Sequence, residues 1–86
     1  MKQVELIHFE SCPYCKQAKR WMQELVEEHP ELAKVQVEQI DEKLEPERVK
    51  GRKYWYVPTF YVDGVKVHEG VASKQIVEDV LRSALQ

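Results

Sequence analysis

Apolar and polar positions recur along this chain with two different periods, and the points where the period changes mark its elements. Val4 to Phe9 mixes β-branched, aromatic and apolar residues in a short run, the composition of a buried strand. From Pro13 to about Glu28 the apolar residues Cys15, Ala18, Met22, Leu25 and Val26 fall at helical spacing, with Lys16, Lys19, Arg20 and Glu24 facing away. Pro13 suits the first helical turn, where its missing N–H costs nothing, and Pro30 ends the helix. Val35 and Val37 then alternate with Gln36 and Glu38, which predicts a second strand reaching Ile40.

Asp41 to Lys53 has the thinnest apolar face; Pro46 opens a short helix through Val49, and Gly51 stops it. Tyr54 to Val62 is strand-like again, interrupted by Pro58. Asp63-Gly64, between Tyr61-Val62 and Val65-Lys66-Val67, predicts a tight hairpin, because both central turn positions need positive φ. Gly70 closes the second hairpin strand. Ser73 is a good N-cap for a last helix whose apolar stripe is Ile76, Val77, Val80, Leu81, Ala84 and Leu85. The first strand–helix–strand unit should be a right-handed parallel crossover. The hairpin adds an antiparallel pair. The expectation is an α/β domain over 1–86, with a mixed four-stranded sheet flanked by three helices.

Composition narrows the function classes. Eighty-six residues make one domain with a modest core, and 43% hydrophobic with 33% charged residues is a globular balance. A formal net charge of −2 argues against a nonspecific nucleic-acid binder, which needs a basic surface. No apolar stretch approaches the length that spans a membrane. Met1-Lys2-Gln3-Val4-Glu5 runs directly into a strand interrupted by charge, unlike a signal peptide, so the expected location is cytoplasmic.

Candidate chemistry lies in Cys12-Pro13-Tyr14-Cys15, which holds both cysteines of the chain. The pair sits between a strand and a helix. A helix N-terminus offers free N–H groups and the positive end of its dipole, and both favour a thiolate. Two thiols at this spacing can close a small disulfide ring, and in an intracellular protein such a pair reads as a redox motif. Cys12, at the helix end, is expected to attack a substrate disulfide as thiolate. Cys15, one turn further in, then resolves the mixed disulfide. Tyr14 stands between two reactive sulfurs, placed to shield them from water or to touch substrate. A zinc site needs four ligands, and His8, His29 and His68 are not spaced to supply them, so no metal is expected. His8 is expected to be a satisfied core histidine, His29 and His68 surface residues, and Trp21 a packing residue.

With these residues in view, the chain resembles the glutaredoxins and, more broadly, small thioredoxin-fold thiol–disulfide oxidoreductases, over nearly its whole length. The carriers are Cys12-Pro13-Tyr14-Cys15 after the first strand, Tyr56-Val57-Pro58 before the third, and Phe60-Tyr61-Val62-Asp63-Gly64 at the hairpin. The resemblance implies a thioredoxin fold, a dithiol Cys12/Cys15 disulfide cycle, a role in electron transport and redox homeostasis, and no cofactor beyond glutathione as co-substrate. It also implies a cis Val57–Pro58 bond facing the active site, with Pro13, Tyr14, Tyr56, Val57 and Pro58 bordering the substrate. Arg52 or Lys53, just before that segment, would attract a carboxylate of glutathione or of an acidic partner; the alternative is a solvated charged face shared with Glu42, Glu45 and Glu47.

The chain departs from the family where glutathione is held. His8, Phe9, Glu10 and Ser11 replace the usual basic residue before the first cysteine. Glu69-Gly70-Val71-Ala72-Ser73 lacks one glycine of a Gly-Gly pair and the following aspartate. Glutathione is therefore expected to be a poor partner. Two other readings remain: a glutathione-independent carrier reduced by a flavin-dependent thioredoxin reductase, and a dimer bridging an iron–sulfur cluster through Cys12. Expected partners are protein disulfides and one of these reductants, acting on a monomer.

Overall fold

Strand β1 (Val4–His8) lies at the centre of a four-stranded sheet that the computed structural model describes over residues 1–86. Helix α1 (Pro13–Glu28) carries the chain across to β2 (Val37–Asp41), which pairs with β1 in parallel, Val4 opposite Val37 and His8 opposite Asp41. Helix α2 (Pro46–Val49) lies beside β2. Strand β3 (Thr59–Val62) returns antiparallel to β1, and β4 (Val65–Glu69) pairs antiparallel with β3 at the edge. Helix α3 (Lys74–Ser83) closes the chain, giving the strand order β2-β1-β3-β4. The mixed sheet and three α-helices are those expected.

Local chemistry accounts for most element ends. Asp63 and Gly64 have φ of +48° and +80°, the pair of left-handed residues that a two-residue hairpin requires. Ser73 caps α3, its hydroxyl oxygen accepting the Ile76 N–H at 3.1 Å. Pro46 opens α2 at its first position.

Two boundaries differ from the pattern along the chain. Helix α1 stops at Glu28 as expected, but Pro30 opens a 3₁₀ helix, Pro30–Lys34, which buries Leu32 completely, and β2 starts at Val37 instead of Val35. Tyr54 to Pro58 are not strand. The side chain of Glu69 accepts the N–H groups of Trp55 and Tyr56, so these donors are satisfied without a ladder partner.

Alternation sorts the β1 side chains between the two faces. Val4 and Leu6 join Ala18, Leu25, Phe60, Val77 and Leu81 in a core between the sheet and helices α1 and α3. Glu5 leaves on the other face, where Arg52 meets it with two hydrogen bonds of 2.7 and 3.2 Å and stacks 4.9 Å over the Tyr61 ring. Arg52 hydrogen bonding lowers the Glu5 pKa, although burial opposes it. Glu5→Gln is expected to cost about 1–2 kcal/mol near neutral pH, since a half-buried paired charge is lost. Because the folded-state pKa is depressed, this stability is present above the usual carboxylate range and is lost as pH falls through the lowered value. Denaturant midpoints of parent and variant should therefore converge in acid. A gap of equal size at low pH would assign it to something other than the ion pair.

Candidate active site

The strand-to-helix turn after β1 sets the geometry of the two sulfurs. Cys12 is the N-cap of α1, with extended φ and ψ of −78° and 113°, and its Sγ accepts the Cys15 N–H at 3.1 Å. This is one of the helix-end donors that has no backbone partner. Pro13 follows at the first helical position and Lys16 N–H bonds back to the Cys12 carbonyl at 3.0 Å. Both cysteines are free thiols.

The site is more enclosed than the helix-end position of Cys12 implies. Cys12 is 4% exposed against 0% for Cys15, so both sulfurs lie beneath the surface. Burial pushes the Cys15 thiol up to about 12, and the adjoining Cys12 sulfur adds to this, while the Phe9 backbone and the Lys19 ammonium oppose it. Cys15 is thus held as a thiol in the ground state.

Across from the sulfurs, the Val57–Pro58 bond is cis, and the Val57 carbonyl oxygen lies 3.9 Å from Cys12 Sγ. Pro58 is buried, and its carbonyl accepts the Gly70 N–H at 2.8 Å. Gly70 has φ of +90° and faces Tyr56, where an added Cβ would meet Tyr56 Cβ at 3.7 Å. Pro13, Tyr14 and Tyr56 are exposed. Five of the sequence-derived residues, Cys12, Cys15, Pro13, Tyr14 and Val57, therefore meet at one end of the sheet, with Pro58 and Tyr56 adjoining them.

Arg52 does not join this group. It is committed to Glu5 on the far side of the sheet from α1 and α3, while Lys53 is exposed and its carbonyl accepts from Lys66 Nζ at 2.8 Å. No periodicity reveals a pairing between residues so distant in sequence. Trp21 is half-buried against the core and forms, with Pro13, Tyr14, Gln17, Val71 and Ala72, an open groove beside the cysteine turn that carries no charged side chain.

His8 is buried, as expected for a core residue, but it is not satisfied: its Nδ1 has no hydrogen-bond partner. Burial and the Lys19 charge lower its pKa, against the pull of Asp41 and Glu10, which favours the neutral imidazole. Glu69 was invisible to sequence reasoning. Its carboxylate links Trp55 and Tyr56 N–H groups to Lys66, and the only local sign is an acidic residue ending an edge strand.

Solved structures carry the same fold. The oxidised thioredoxin from Plasmodium falciparum matches with a TM-score of 0.73 and 18% identity, over 95% of this chain and 79% of that one. A second match is a chain from a structure of the thiol resolving mechanism in yeast mitochondrial 1-Cys peroxiredoxin via glutathione/thioredoxin systems. It has a TM-score of 0.70 and 20% identity, over 95% of this chain and 77% of that one. No curated protein sequence matches the chain. The thioredoxin domain family model matches residues 2–82. With its four-stranded sheet, its Cys12/Cys15 pair on the first helix and this match along nearly all its length, the chain belongs to the thioredoxin domain family.

Proposed function

We propose that this protein is a dithiol thiol–disulfide oxidoreductase acting on disulfides of polypeptides, with glutathione a weak partner. The observation that carries this reading is the Cys12 Sγ at the N-terminus of α1, accepting the Cys15 N–H and facing the Val57 carbonyl. A helix end that donates to sulfur stabilises its anionic form, and only the thiolate attacks a disulfide.

Cys12 thiolate attacks one substrate sulfur, the substrate S–S bond breaks, and the departing sulfur leaves as a thiolate that takes up a proton. Cys15 loses its proton to water as it attacks Cys12 Sγ, releasing the second substrate thiol and closing the Cys12–Cys15 disulfide. Substrate gains two electrons and the protein loses two. An external thiol or a flavin-dependent reductase must restore the dithiol, and the exchange needs no bound metal or organic cofactor.

Two features of the site disfavour glutathione. Val71 and Ala72 border a groove that has no charged side chain to pair with the charged ends of that tripeptide. Of the two candidate cations before Val57, Arg52 is already paired with Glu5, which leaves only Lys53 for a carboxylate. Losing one or two charge-assisted hydrogen bonds of roughly 1.5–3 kcal/mol each weakens binding tenfold or more.

Cys15→Ser provides the test. Incubated with a disulfide-bonded protein, this variant should accumulate a mixed disulfide on Cys12, visible by mass spectrometry, because no second sulfur remains to displace the substrate. Catalytic turnover by Cys15→Ser at the parent rate, without added monothiol, would refute the dithiol cycle.

A further inference from the structure

We infer that the segment Lys53–Tyr56 is a docking rim that selects polypeptide disulfides flanked by apolar and acidic side chains, an inference that rests on the oxidoreductase reading above. Trp55 is 90% exposed and Tyr56 70%, the former more than any other large apolar side chain in the protein. Apolar surface left in water is unfavourable, and tryptophan is the residue that most often anchors an interface when a partner covers it.

The rim is held in place by its neighbours. Glu69 Oε2 accepts the Trp55 N–H at 2.5 Å and the Tyr56 N–H at 3.1 Å. Glu69 Oε1 accepts from Lys66 Nζ at 2.6 Å, and the same ammonium donates to the Lys53 carbonyl at 2.8 Å. Thr59 Oγ1 donates to the Tyr56 carbonyl. Two side chains of the edge strand β4 thus clamp Lys53, Trp55 and Tyr56, which make no strand ladder. A surface ordered before binding loses less conformational freedom when a partner arrives. Hydrogen bonds from Lys66 and the two backbone N–H groups hold the Glu69 carboxyl down to about 2, so the clamp stays charged throughout the neutral range.

Position and charge define the occupant. The rim leads directly into Val57, whose carbonyl lies 3.9 Å from Cys12 Sγ. Two residues of chain span at most about 7 Å, so a side chain close to a substrate sulfur on Cys12 falls within reach of Trp55. Of the cations nearby, Arg48 pairs with Glu38 and Glu45, Arg52 with Glu5, and Lys66 with Glu69. Within the rim itself Lys53 is exposed and makes no ion pair, while Glu42 is engaged as acceptor of the Tyr54 hydroxyl at 2.6 Å, so Lys53 is the rim cation free to meet a carboxylate. An extended substrate segment with an apolar side chain on Trp55 and a carboxylate towards Lys53 satisfies both features. Glutathione has no apolar side chain to place on the indole.

Two synthetic disulfide-linked peptides of equal length test this, one with Leu and Glu beside the cysteine and the other with Ser and Lys. Reduction by the dithiol form should favour the Leu/Glu peptide by about tenfold or more in kcat/KM, from one aromatic contact and one charge-assisted contact. Trp55→Ala should bring that ratio most of the way to unity, and Lys53→Glu should lower it by reversing the charge preference. In Glu69→Ala the ratio should fall while amide exchange at Trp55 and Tyr56 accelerates, which separates loss of the clamp from general destabilisation. Equal rates for the two peptides with the parent protein, or a preference that survives Trp55→Ala, overturn the inference and leave the oxidoreductase reading intact. Failure to reduce either peptide overturns both.

Discussion

Iodoacetamide offered to the reduced protein is expected to label Cys12 and leave Cys15 unlabelled. The thiolate is the reactive species, and a thiol pushed up to about 12 is ionised in only about one part in ten thousand at about pH 8. Cys15 is also completely buried beneath the first turn of α1, whereas Cys12 caps that helix. The Cys12→Ser variant should therefore alkylate much more slowly than the parent, because burial, the largest cause that pushes the Cys15 thiol up, remains, and its disulfide reductase activity should disappear. Mass spectrometry of partly labelled parent protein locates the modification. Label on Cys15 at a comparable rate would reverse the assignment of nucleophile and resolving thiol, and the Cys15→Ser trap would then capture nothing.

Phe60→Ala is expected to remove a large part of the stability. Phe60 is fully buried in the middle of β3, opposite Leu6 on β1, and belongs to the core shared with α1 and α3. Truncating such a ring costs about 3–5 kcal/mol, from lost transfer energy and the cavity left behind. A small domain has roughly 5–15 kcal/mol in all, so the variant would lie close to the edge of folding. Phe60→Leu keeps most of the volume and should cost less than half as much. Denaturant titration of both checks the ordering. A cost below about 1 kcal/mol for the alanine variant would mean that the core collapses around the site, contrary to close packing.

The two predictions depend on separate parts of the molecule. Phe60 supports the sheet that presents the cysteine turn, while the chemistry depends on the few atoms around Cys12. A folded Phe60→Leu protein should still show the Cys12-before-Cys15 order. Loss of that order along with stability would mean that the site geometry is coupled to core packing.

Much of this arrangement was legible along the chain because its causes are local. Pro13–Glu28 has the helical stripe, Pro46 opens α2, Asp63-Gly64 supplies two positive φ angles, and Ser73 caps α3; each signal lies within a few residues of its effect. The cysteine pair could be recognised as redox chemistry for the same reason, since its spacing and the helix behind it are sequence-local. Tertiary structure decided what depends on residues far apart. Arg52, expected near the substrate, meets Glu5 47 positions away, because strand alternation sends Glu5 to the face where the segment after α2 returns. Trp55 and Tyr56, expected in a strand, are held by Glu69, because that residue ends the neighbouring edge strand. His8 and Cys12 are buried by what packs over them, and burial alone leaves His8 Nδ1 without a partner and places Cys12 beneath the surface. Local propensity and periodicity set which elements form; which side chains meet is set only when the elements pack, since that is when charges, donors and apolar surface from distant positions come into contact.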